Sequence, residues 1–507
     1  MRRRAAIALA LGLVGIAGVL LSWVVEPESS ARVLGSDRPV NPGATDLGDI
    51  SANNSPTLAR NPRNPANLAV ANRIDSPDFS CALQISLDGG TRWRRTRVPI
   101  PEGEGPKCYA PDVTFAADGT LHLSYVTLKG VGNVPDAVWT AVSRDGGRTL
   151  SRPRRAAGPL AFQVRIAADP EDPRRLYLTW LQAREVGTLK FPRPGNPIVV
   201  ARSADGGATW TRARQVSDPA RARVLAPSPA IGPDGALYVL FLDVGDDRLD
   251  YEGAHEGLGG APYPGRFELV LARSVDGGGT WAESVVEDRL TPAERFIAFL
   301  PPFPSLAVDG RRGRIYAAFY DARLGDADVW VWSLRSGAAD WSEPVRVNDT
   351  PRQDGTAQYL PQLAVAPDGR LDVVYLDRRD DRDNVRNEVS LQSSTDGGAT
   401  FTPSLRLSDR PSDSRIGLGS ERGLPDLGSR LSLVAGDARA LAVWTDTRAG
   451  TEASLKQDLA GAVVAFPRDD PARELTAGVL RLGGVLLAVA GLALGLTAAR
   501  RRRRPLP

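Results

Sequence analysis

Short runs of alternating apolar and polar residues recur along most of the chain, and each run is bounded by a turn rich in Gly, Asp or Pro. A representative unit begins with residues 363–365, turns at 367–369 (Pro-Asp-Gly) and continues through 371–376. Alternation with a period of two predicts half-buried β-strands, and the turns between them predict hairpins. About four such strands fit into each unit of roughly 60 residues, which is typical of one blade of a β-propeller.

One turn motif, S-x-D-G-G-x-T-W, sets the period of these units. Its five recognisable copies carry the aspartates Asp88, Asp145, Asp205, Asp276 and Asp396. These aspartates are 57, 60, 71 and 120 residues apart, and because the last gap is twice 60, we expect a degenerate copy near Ser333. Consecutive glycines permit positive φ, while Ser, Asp and Thr side chains can bond the amides of the turn. We therefore expect these aspartates to hold turns and not to catalyse.

The repeats predict an all-β fold, a β-propeller with seven blades, with six blades as the alternative. The seventh set of strands, near 431–434, 440–444 and 459–466, lacks an outer strand. Residues 32–37 resemble the outer strand at 405–409, so the N-terminal segment is expected to supply the missing strand. Such closure removes exposed sheet edges. The propeller is predicted to cover residues 32–467.

Apolar segments at both ends of the chain predict hydrophobic helices. Residues 5–25 form an apolar run of 21 residues after three arginines, which predicts a signal peptide or a signal anchor within residues 1–31. Residues 482–499 form a second run of 18 residues, followed by arginines. We expect a linker at 468–481, a transmembrane helix at 482–499 and a cytoplasmic basic tail at 500–507. Because basic flanks stay in the cytoplasm, the predicted location is the cell membrane, with the propeller on the extracellular side.

Composition and charge narrow the classes of partner. The chain has 63 basic and 60 acidic residues, and much of the net charge of +3 comes from the arginines of the two ends. No nucleic-acid footprint is therefore expected. The only cysteines, Cys81 and Cys108, are read as a disulfide in an exported chain, with free thiols as the alternative. The sequence indicates neither a metal site nor a cofactor, and it leaves the oligomeric state open.

At the S-x-D-G-G-x-T-W turns the chain resembles the Asp-box (BNR-repeat) proteins of the sialidase superfamily, over residues of about 50 to 466. The resemblance implies a propeller with a ligand site at one end. Sialidases of this superfamily have six blades, an arginine trio that grips the substrate carboxylate, a Tyr-Glu nucleophile pair and an Asp acid/base. No R-I-P signature precedes Ser86 here, and the nearest match, 165–167 (Arg-Ile-Ala), lies in another repeat. This departure and the count of seven blades argue against sialidase activity, and the catalytic residues stay unassigned.

The longest insertion between strands follows Leu242, and it is the first predicted ligand-contacting segment. In repeat folds, insertions gathered on one face usually mark a binding surface. The alternative is a solvated polar loop. The ligand-binding candidates in this insertion are Arg248, Tyr251, Glu252 and Glu256.

A second group of candidates is an Asp-x-Arg pattern that recurs after predicted strands on the same face. Two interpretations are open. The favoured one is that each Asp and Arg pair with each other as the chain leaves the strand. The other is a ring of guanidinium groups around the central mouth that grips carboxylates. The pairs are Asp321 with Arg323, Asp377 with Arg379, and Asp446 with Arg448.

These patterns lead to two hypotheses about function. The first is a membrane-anchored, extracytoplasmic, sialidase-like propeller that binds carbohydrate or an acidic polymer, with a glycoside hydrolase of the exo-sialidase type as its catalytic form. The second is a non-catalytic protein-interaction scaffold of the cell envelope.

Overall fold

The computed structural model describes residues 2–25, 30–46, 48–130, 132–185, 194–247, 263–293, 303–335, 338–417, 426–467 and 471–502. The chain divides into two compact units. One is the propeller, Val33–Val464, and the other combines Met1–Arg32 with Ala465–Pro507.

The propeller consists of seven antiparallel sheets of at least four strands each, so the predicted seven-bladed fold is confirmed. Consecutive strands pair within each blade, and the first strands of the seven blades contact one another in a closed ring. The N-terminal strands are β1 (Arg32–Val33) and β2 (Arg38–Pro39). Blade 1 contains β3 (Asn53–Arg60), β4 (Leu68–Ile74), β5 (Ser80–Ser86) and β6 (Arg94–Thr96). Blade 2 contains β7 (Cys108–Phe115), β8 (Leu121–Lys129), β9 (Val134–Ser143) and β10 (Arg154–Ala157). Blade 3 contains β11 (Ala161–Ala168), β12 (Leu176–Gln182), β13 (Ile198–Ser203) and β14 (Arg214–Gln215).

The remaining blades follow the same order, from the inner strand to the outer strand. Blade 4 contains β15 (Val224–Ile231), β16 (Leu237–Asp243), β17 (Phe267–Ser274) and β18 (Ala282–Leu290). Blade 5 contains β19 (Ser305–Asp309), β20 (Arg314–Asp321), β21 (Asp328–Arg335) and β22 (Val345–Arg346). Blade 6 contains β23 (Gln358–Val365), β24 (Leu371–Asp377), β25 (Arg386–Ser394), β26 (Leu405–Arg406) and β27 (Ser412–Asp413). Blade 7 contains β28 (Ser432–Ala435), β29 (Arg439–Asp446) and β30 (Asp458–Ala465).

The N-terminal segment closes the ring, as the sequence predicted. Strand β1 is the outer strand of blade 7, where it pairs with β30, and β2 pairs with β30 as well. Backbone hydrogen bonds from Leu34 to Val463 and from Val40 to Leu459, both 2.8 Å, flank this pairing. The buried Lys456 ammonium donates to the carbonyl oxygens of 43 and 46 at 2.9 and 2.6 Å, which fixes the segment that follows β2.

The five S-x-D-G-G-x-T-W turns, which we call Asp-box turns, share one hydrogen-bond pattern. The serine hydroxyl donates to the aspartate carboxylate at 2.7–2.9 Å and accepts from the amide of the second glycine at 2.8–2.9 Å. In blade 3, Gly206 and Gly207 have φ values of +70° and +81°, a region that a glycine adopts without strain. Arg92 replaces the usual threonine in blade 1, and its amide still donates to Asp88 at 2.9 Å.

Apolar side chains from neighbouring blades form the core between the sheets. Leu83 and Ile85 of blade 1 pack in one cluster with Leu121 and Tyr125 of blade 2. The disulfide between Cys81 and Cys108 joins β5 to β7 across the same pair of blades, with a Cα–Cα distance of 5.7 Å. The predicted disulfide is therefore confirmed.

The propeller has two distinct faces. Asn67, between the first and second strands of blade 1, donates to the Gly146 carbonyl in the Asp-box turn of blade 2 at 3.0 Å, so both kinds of turn share one face, as expected. The opposite face carries the connections from second to third strands and from each outer strand to the next blade.

The other unit contains the helices α1 (Arg2–Val25) and α2 (Pro471–Arg502). Their backbones approach closely at Gly15 and Gly484, where a Cβ atom on either glycine would lie 2.6 Å from a backbone atom of the other helix. Helix α2 begins inside the segment 468–481 that was predicted as a linker. Within the described residues, no helix is both long enough and apolar enough to cross a bilayer.

Candidate functional site

The three predicted Asp-x-Arg pairs form ion pairs at the ends of second strands. The N–O distance is 2.7 Å between Arg323 and Asp321, 2.6 Å in the pair that follows β24 and 2.8 Å in the pair that follows β29. Each guanidinium also contacts a second carboxylate in or just after an outer strand. These second partners, at 2.8–2.9 Å, are Glu287 for Arg323, Asp349 for Arg379 and Asp37 for Arg448.

These contacts place the three guanidinium groups beside outer strands and not on the propeller axis. These contacts agree with the favoured interpretation, in which each Asp and Arg pair with each other as the chain leaves the strand, rather than with the alternative of a guanidinium ring around the central mouth. Burial acts to lower the pKa of each guanidinium, but the paired carboxylates outweigh it and the pKa values are raised. Two carboxylates already neutralise each of these cations, and a ligand-binding role for the pairs stays a prediction. The other candidates, Arg248, Tyr251, Glu252 and Glu256, lie outside the described residues.

A second cluster, which the sequence did not single out, lies where the blades converge. We call it the axial cluster. Its members come from five blades, and residues from so many blades can meet only near the axis of the ring. They are Arg73 (β4), Asp75 (after β4), Tyr109 and Asp112 (β7), Arg165 (β11), Phe303 (before β19), and Asp426 and Arg430 (before β28).

A repeated β-bulge shapes the inner strands around this cluster. Among the described residues, five inner strands shift register at the same relative position, and each shift contains a non-glycine residue with φ between +49° and +58°. These left-handed residues are Ser55, Ala110, Gln163, Ala226 and Leu360. Bulges re-aim side chains and are frequent next to active sites. The residue two positions further on is polar in every case, and in blades 2 and 3 it is Asp112 and Arg165.

One half of the axial cluster is rich in carboxylates. Arg73 pairs with Asp75 and with Asp426, each at 2.5 Å, and Asn54 donates to Asp75 at 2.8 Å. The Arg73 guanidinium also lies 5.7 Å from the centre of the Tyr109 ring. Burial raises the pKa of Tyr109, and the Arg73 charge opposes this shift, so the phenol is a neutral hydrogen-bonding group at neutral pH.

The other half has an excess of positive charge. Arg165 pairs with Asp112 at 2.8 Å, and the amide of Ile166 donates to the same carboxylate at 2.8 Å. Arg430 is 6% exposed, and within the described residues it has no carboxylate partner. Its Nη2 donates to the Pro111 carbonyl at 3.0 Å, while its buried Nε has no hydrogen-bond partner in the part of the chain that the structure describes.

The Phe303 ring lies between these two arginines. The ring centre is 5.1 Å from the Arg165 guanidinium carbon and 5.4 Å from that of Arg430. Burial, and then the positive charge of Arg165, lower the pKa of Arg430 to about 9. A buried cation without a counter-ion is costly, and an anionic group bound beside it would remove that cost. Two guanidinium groups and an aromatic ring therefore offer a positive charge that matches a carboxylate or a sulfate.

Sequence reasoning missed the axial cluster, although two signals were present. Asp112 and Arg165 are each the single charged residue of an inner strand, in CYAPDVTF and AFQVRIAA. In the sequence, Arg165 stands out only as part of an incomplete R-I-P match. Neither signal shows which other blades bring charges to the same place.

No family model matches the chain. A xyloglucanase from Paenibacillus sp is 27% identical over 250 residues, which are 47% of this chain and 21% of that protein. The chain thus spans about a fifth of the length of the curated relative it matches.

Solved structures that are similar to this chain include a sialidase and an α-L-arabinofuranosidase. The Hadza microbial sialidase Hz136 is 15% identical, with 78% of this chain and 73% of that chain covered and a TM-score of 0.43. The GH93 α-L-arabinofuranosidase of Fusarium graminearum, solved with arabinobiose, is 14% identical, with 71% and 97% covered and a TM-score of 0.45. These likenesses concern the fold.

Proposed function

We propose that the axial cluster binds the anionic group of an acidic carbohydrate. The observation that carries this proposal is Arg430, a buried guanidinium with no carboxylate partner in the described part of the chain. A bound carboxylate would form charge-assisted hydrogen bonds with such a group, and these are among the stronger bonds in proteins.

Aromatic rings beside the charges favour a sugar as the carrier of that anion. Phe303 and Tyr109 both lie in the cluster, next to Arg430 and Arg73 respectively. Rings of this kind pack against the apolar face of a sugar while neighbouring polar groups bond its hydroxyls. Carbohydrate is also the class named for the xyloglucanase relative.

The proposal is tested by calorimetric titration of the purified full-length chain with N-acetylneuraminate, glucuronate and galacturonate. We expect at least one of them to bind, and Arg430→Gln to weaken it roughly 10- to 100-fold, because a hydrogen bond to a charged group contributes about 1.5–3 kcal/mol. The substitution should not change the titrations with the neutral sugars glucose and galactose.

The matched control is Arg448→Gln, which removes a guanidinium that two carboxylates already neutralise. Binding unchanged in this variant, but weakened in Arg430→Gln, would locate the ligand at the axis. The reverse result would favour the Asp-x-Arg pairs. A protein that binds none of the acidic sugars would be better described as the interaction scaffold of the second hypothesis. Fluorogenic glycosides, a sialoside among them, test hydrolysis on the same samples.

We further propose that the propeller lies outside the cytoplasm and that the chain is held at the cell membrane. The Cys81–Cys108 disulfide supports the first part, because such bonds persist mainly in oxidising compartments. The apolar runs with arginine flanks support the second. Labelling of the protein on intact cells with a membrane-impermeant reagent tests the first part. Carbonate extraction of the membrane fraction tests the second part. Labelling only after lysis, or release by carbonate, would contradict the corresponding part.

A further inference from the structure

The outer strands of blades 1, 2 and 3 carry an unusual density of arginine. Residues 92–97 read RWRRTR, residues 152–155 read RPRR and residues 212–214 read RAR, and none of these segments contains an acidic residue. All nine arginines are exposed, and within the described residues none of them forms an ion pair. We call them the basic rim: Arg92, Arg94, Arg95, Arg97, Arg152, Arg154, Arg155, Arg212 and Arg214.

The arginines of the rim in blades 2 and 3 occupy equivalent strand positions. Arg154 pairs with Thr140 and Arg214 with Val200, each three residues before the serine of an Asp-box, so the two positions are structurally equivalent. Arg154 also donates to the Ala208 carbonyl in the Asp-box of blade 3 at 3.3 Å. The pattern stops at blade 4, where the outer strand reads AESVVEDRL and carries three carboxylates.

We propose that the basic rim binds a flexible, linear acidic polysaccharide along the outside of blades 1–3. Arginines two residues apart along an extended strand have Cα atoms roughly 6.6 Å from each other, so their unpaired guanidinium groups can contact successive anionic groups of one polymer. Only the choice of carbohydrate as the polymer rests on the proposed function, since the charge of the rim is independent of the axial cluster.

The curvature of the rim favours a flexible chain over other polyanions. Three of seven blades cover roughly 150° of the ring, with roughly 100° between the outer strands of the first and the third, so a flat bilayer could touch only part of the rim at once. A DNA duplex, whose persistence length is about 50 nm, is too stiff to follow this arc. Single-stranded nucleic acids are usually held by exposed aromatic rings that stack on bases. The two tryptophans next to the rim, Trp93 and Trp210, instead pack on apolar clusters.

The test compares two full-length variants with the same loss of charge. The rim variant carries R94Q, R95Q, R97Q, R152Q, R155Q and R212Q. The control variant replaces six exposed arginines of blades 4–7: R289Q, R352Q, R382Q, R386Q, R410Q and R439Q. The probes are polygalacturonate for carboxylates, dextran sulfate for sulfates, and unmodified dextran.

We expect the wild type to bind at least one of the charged polymers, and more weakly as salt is added. The rim variant should bind roughly 60-fold more weakly, at about twofold for each exposed ion pair. The control variant should bind like the wild type, and dextran should bind to none of them. Equal losses in both variants, or no binding by the wild type, would overturn the proposal.

Two further measurements separate this proposal from its alternatives. Arg430→Gln should lose the acidic monosaccharide but keep the polymer, whereas the rim variant should do the opposite. Loss of polymer binding in Arg430→Gln alone would leave the proposed function standing and refute the rim. Rim-dependent binding of poly(U) or of phosphatidylglycerol vesicles, without rim-dependent binding of either polysaccharide, would assign the rim to a nucleic acid or a lipid surface and would also refute the proposal.

Discussion

Arg73 at the end of β4 and Asp426 in front of β28 form an ion pair of 2.5 Å that joins the first blade to the seventh. Both side chains are buried, and Arg73 also neutralises Asp75. We expect Arg73→Met to lower the free energy of unfolding by about 3–5 kcal/mol, because it leaves two buried carboxylates without their cation. Urea denaturation followed by tryptophan fluorescence measures this change. A loss below about 1 kcal/mol would show that the pair contributes no more than a surface salt bridge.

Substitution of Arg430 by Met should change the free energy of unfolding in the opposite direction from Arg73→Met. It has no carboxylate partner among the described residues, so Arg430→Met removes a buried charge and leaves none behind. We expect the free energy of unfolding to rise by about 1 kcal/mol or more, while binding of the acidic sugar is lost. The same urea titrations serve for this variant. A clear decrease in stability would instead mark Arg430 as a structural residue.

The Asp-box turns should make stability depend on acid. Hydrogen bonds from the Thr209 hydroxyl and amide lower the pKa of Asp205 to about 2, and bonds from Thr400 do the same for Asp396. A carboxyl group whose pKa is lower in the folded state stabilises the fold above its ordinary pKa of 3.8 and loses this effect as the pH falls towards 2.

We therefore expect the difference in melting temperature between the wild type and the double variant Asp205→Asn, Asp396→Asn to shrink between pH 4 and about pH 2. Thermal melts at half-unit pH steps from 6 to 2 measure it. The matched control is Asp118→Asn, on a neighbouring turn of the same face. A difference in melting temperature that stays constant over this pH range would show that the charge of the two carboxylates does not contribute to stability.

The disulfide should contribute measurably to the stability of the first two blades. Cys81 and Cys108 are separated by 27 residues, and a loop of this size predicts a loss of about 3–4 kcal/mol on removal of the bond. We expect reduction by dithiothreitol and the double substitution Cys81→Ala, Cys108→Ala to lower the unfolding midpoint to a similar extent. Dithiothreitol should have no effect on the double variant. An effect there would point to an artefact of the reductant.

The sequence was sufficient for the fold because the fold is local and repeated. Each Asp-box is built from residues within eight positions of one another, and the resemblance of residues 32–37 to 405–409 was enough to predict the closing strand. The axial cluster could not be derived in the same way. Arg165 and Arg430 are far apart in the chain, and they meet at Phe303 only because inner strands converge on the axis.

The bulges were also beyond prediction from sequence. Residues of types as different as Ser55, Gln163 and Leu360 adopt the same left-handed conformation, and none of them is glycine. Their neighbours in the ring impose that conformation, and no local preference signals it. The Asp-x-Arg motif, in contrast, is visible in the sequence. Its second carboxylate could not be predicted, because it comes from a segment far away in the chain, as with Asp37 and Arg448.

The pairing of β1 with β30 has a consequence for biogenesis. Strand β1, the outer strand of the seventh blade, is the first strand of the propeller to be synthesised. Its partner β30, at Asp458–Ala465, is the last strand. While the first six blades are being synthesised, β1 has no strand to pair with. The ring of blades stays open between the first blade and the seventh. A nascent chain that stalls before β30 would therefore expose unpaired strand edges, and a chaperone or a slow export step would have to protect them until synthesis ends.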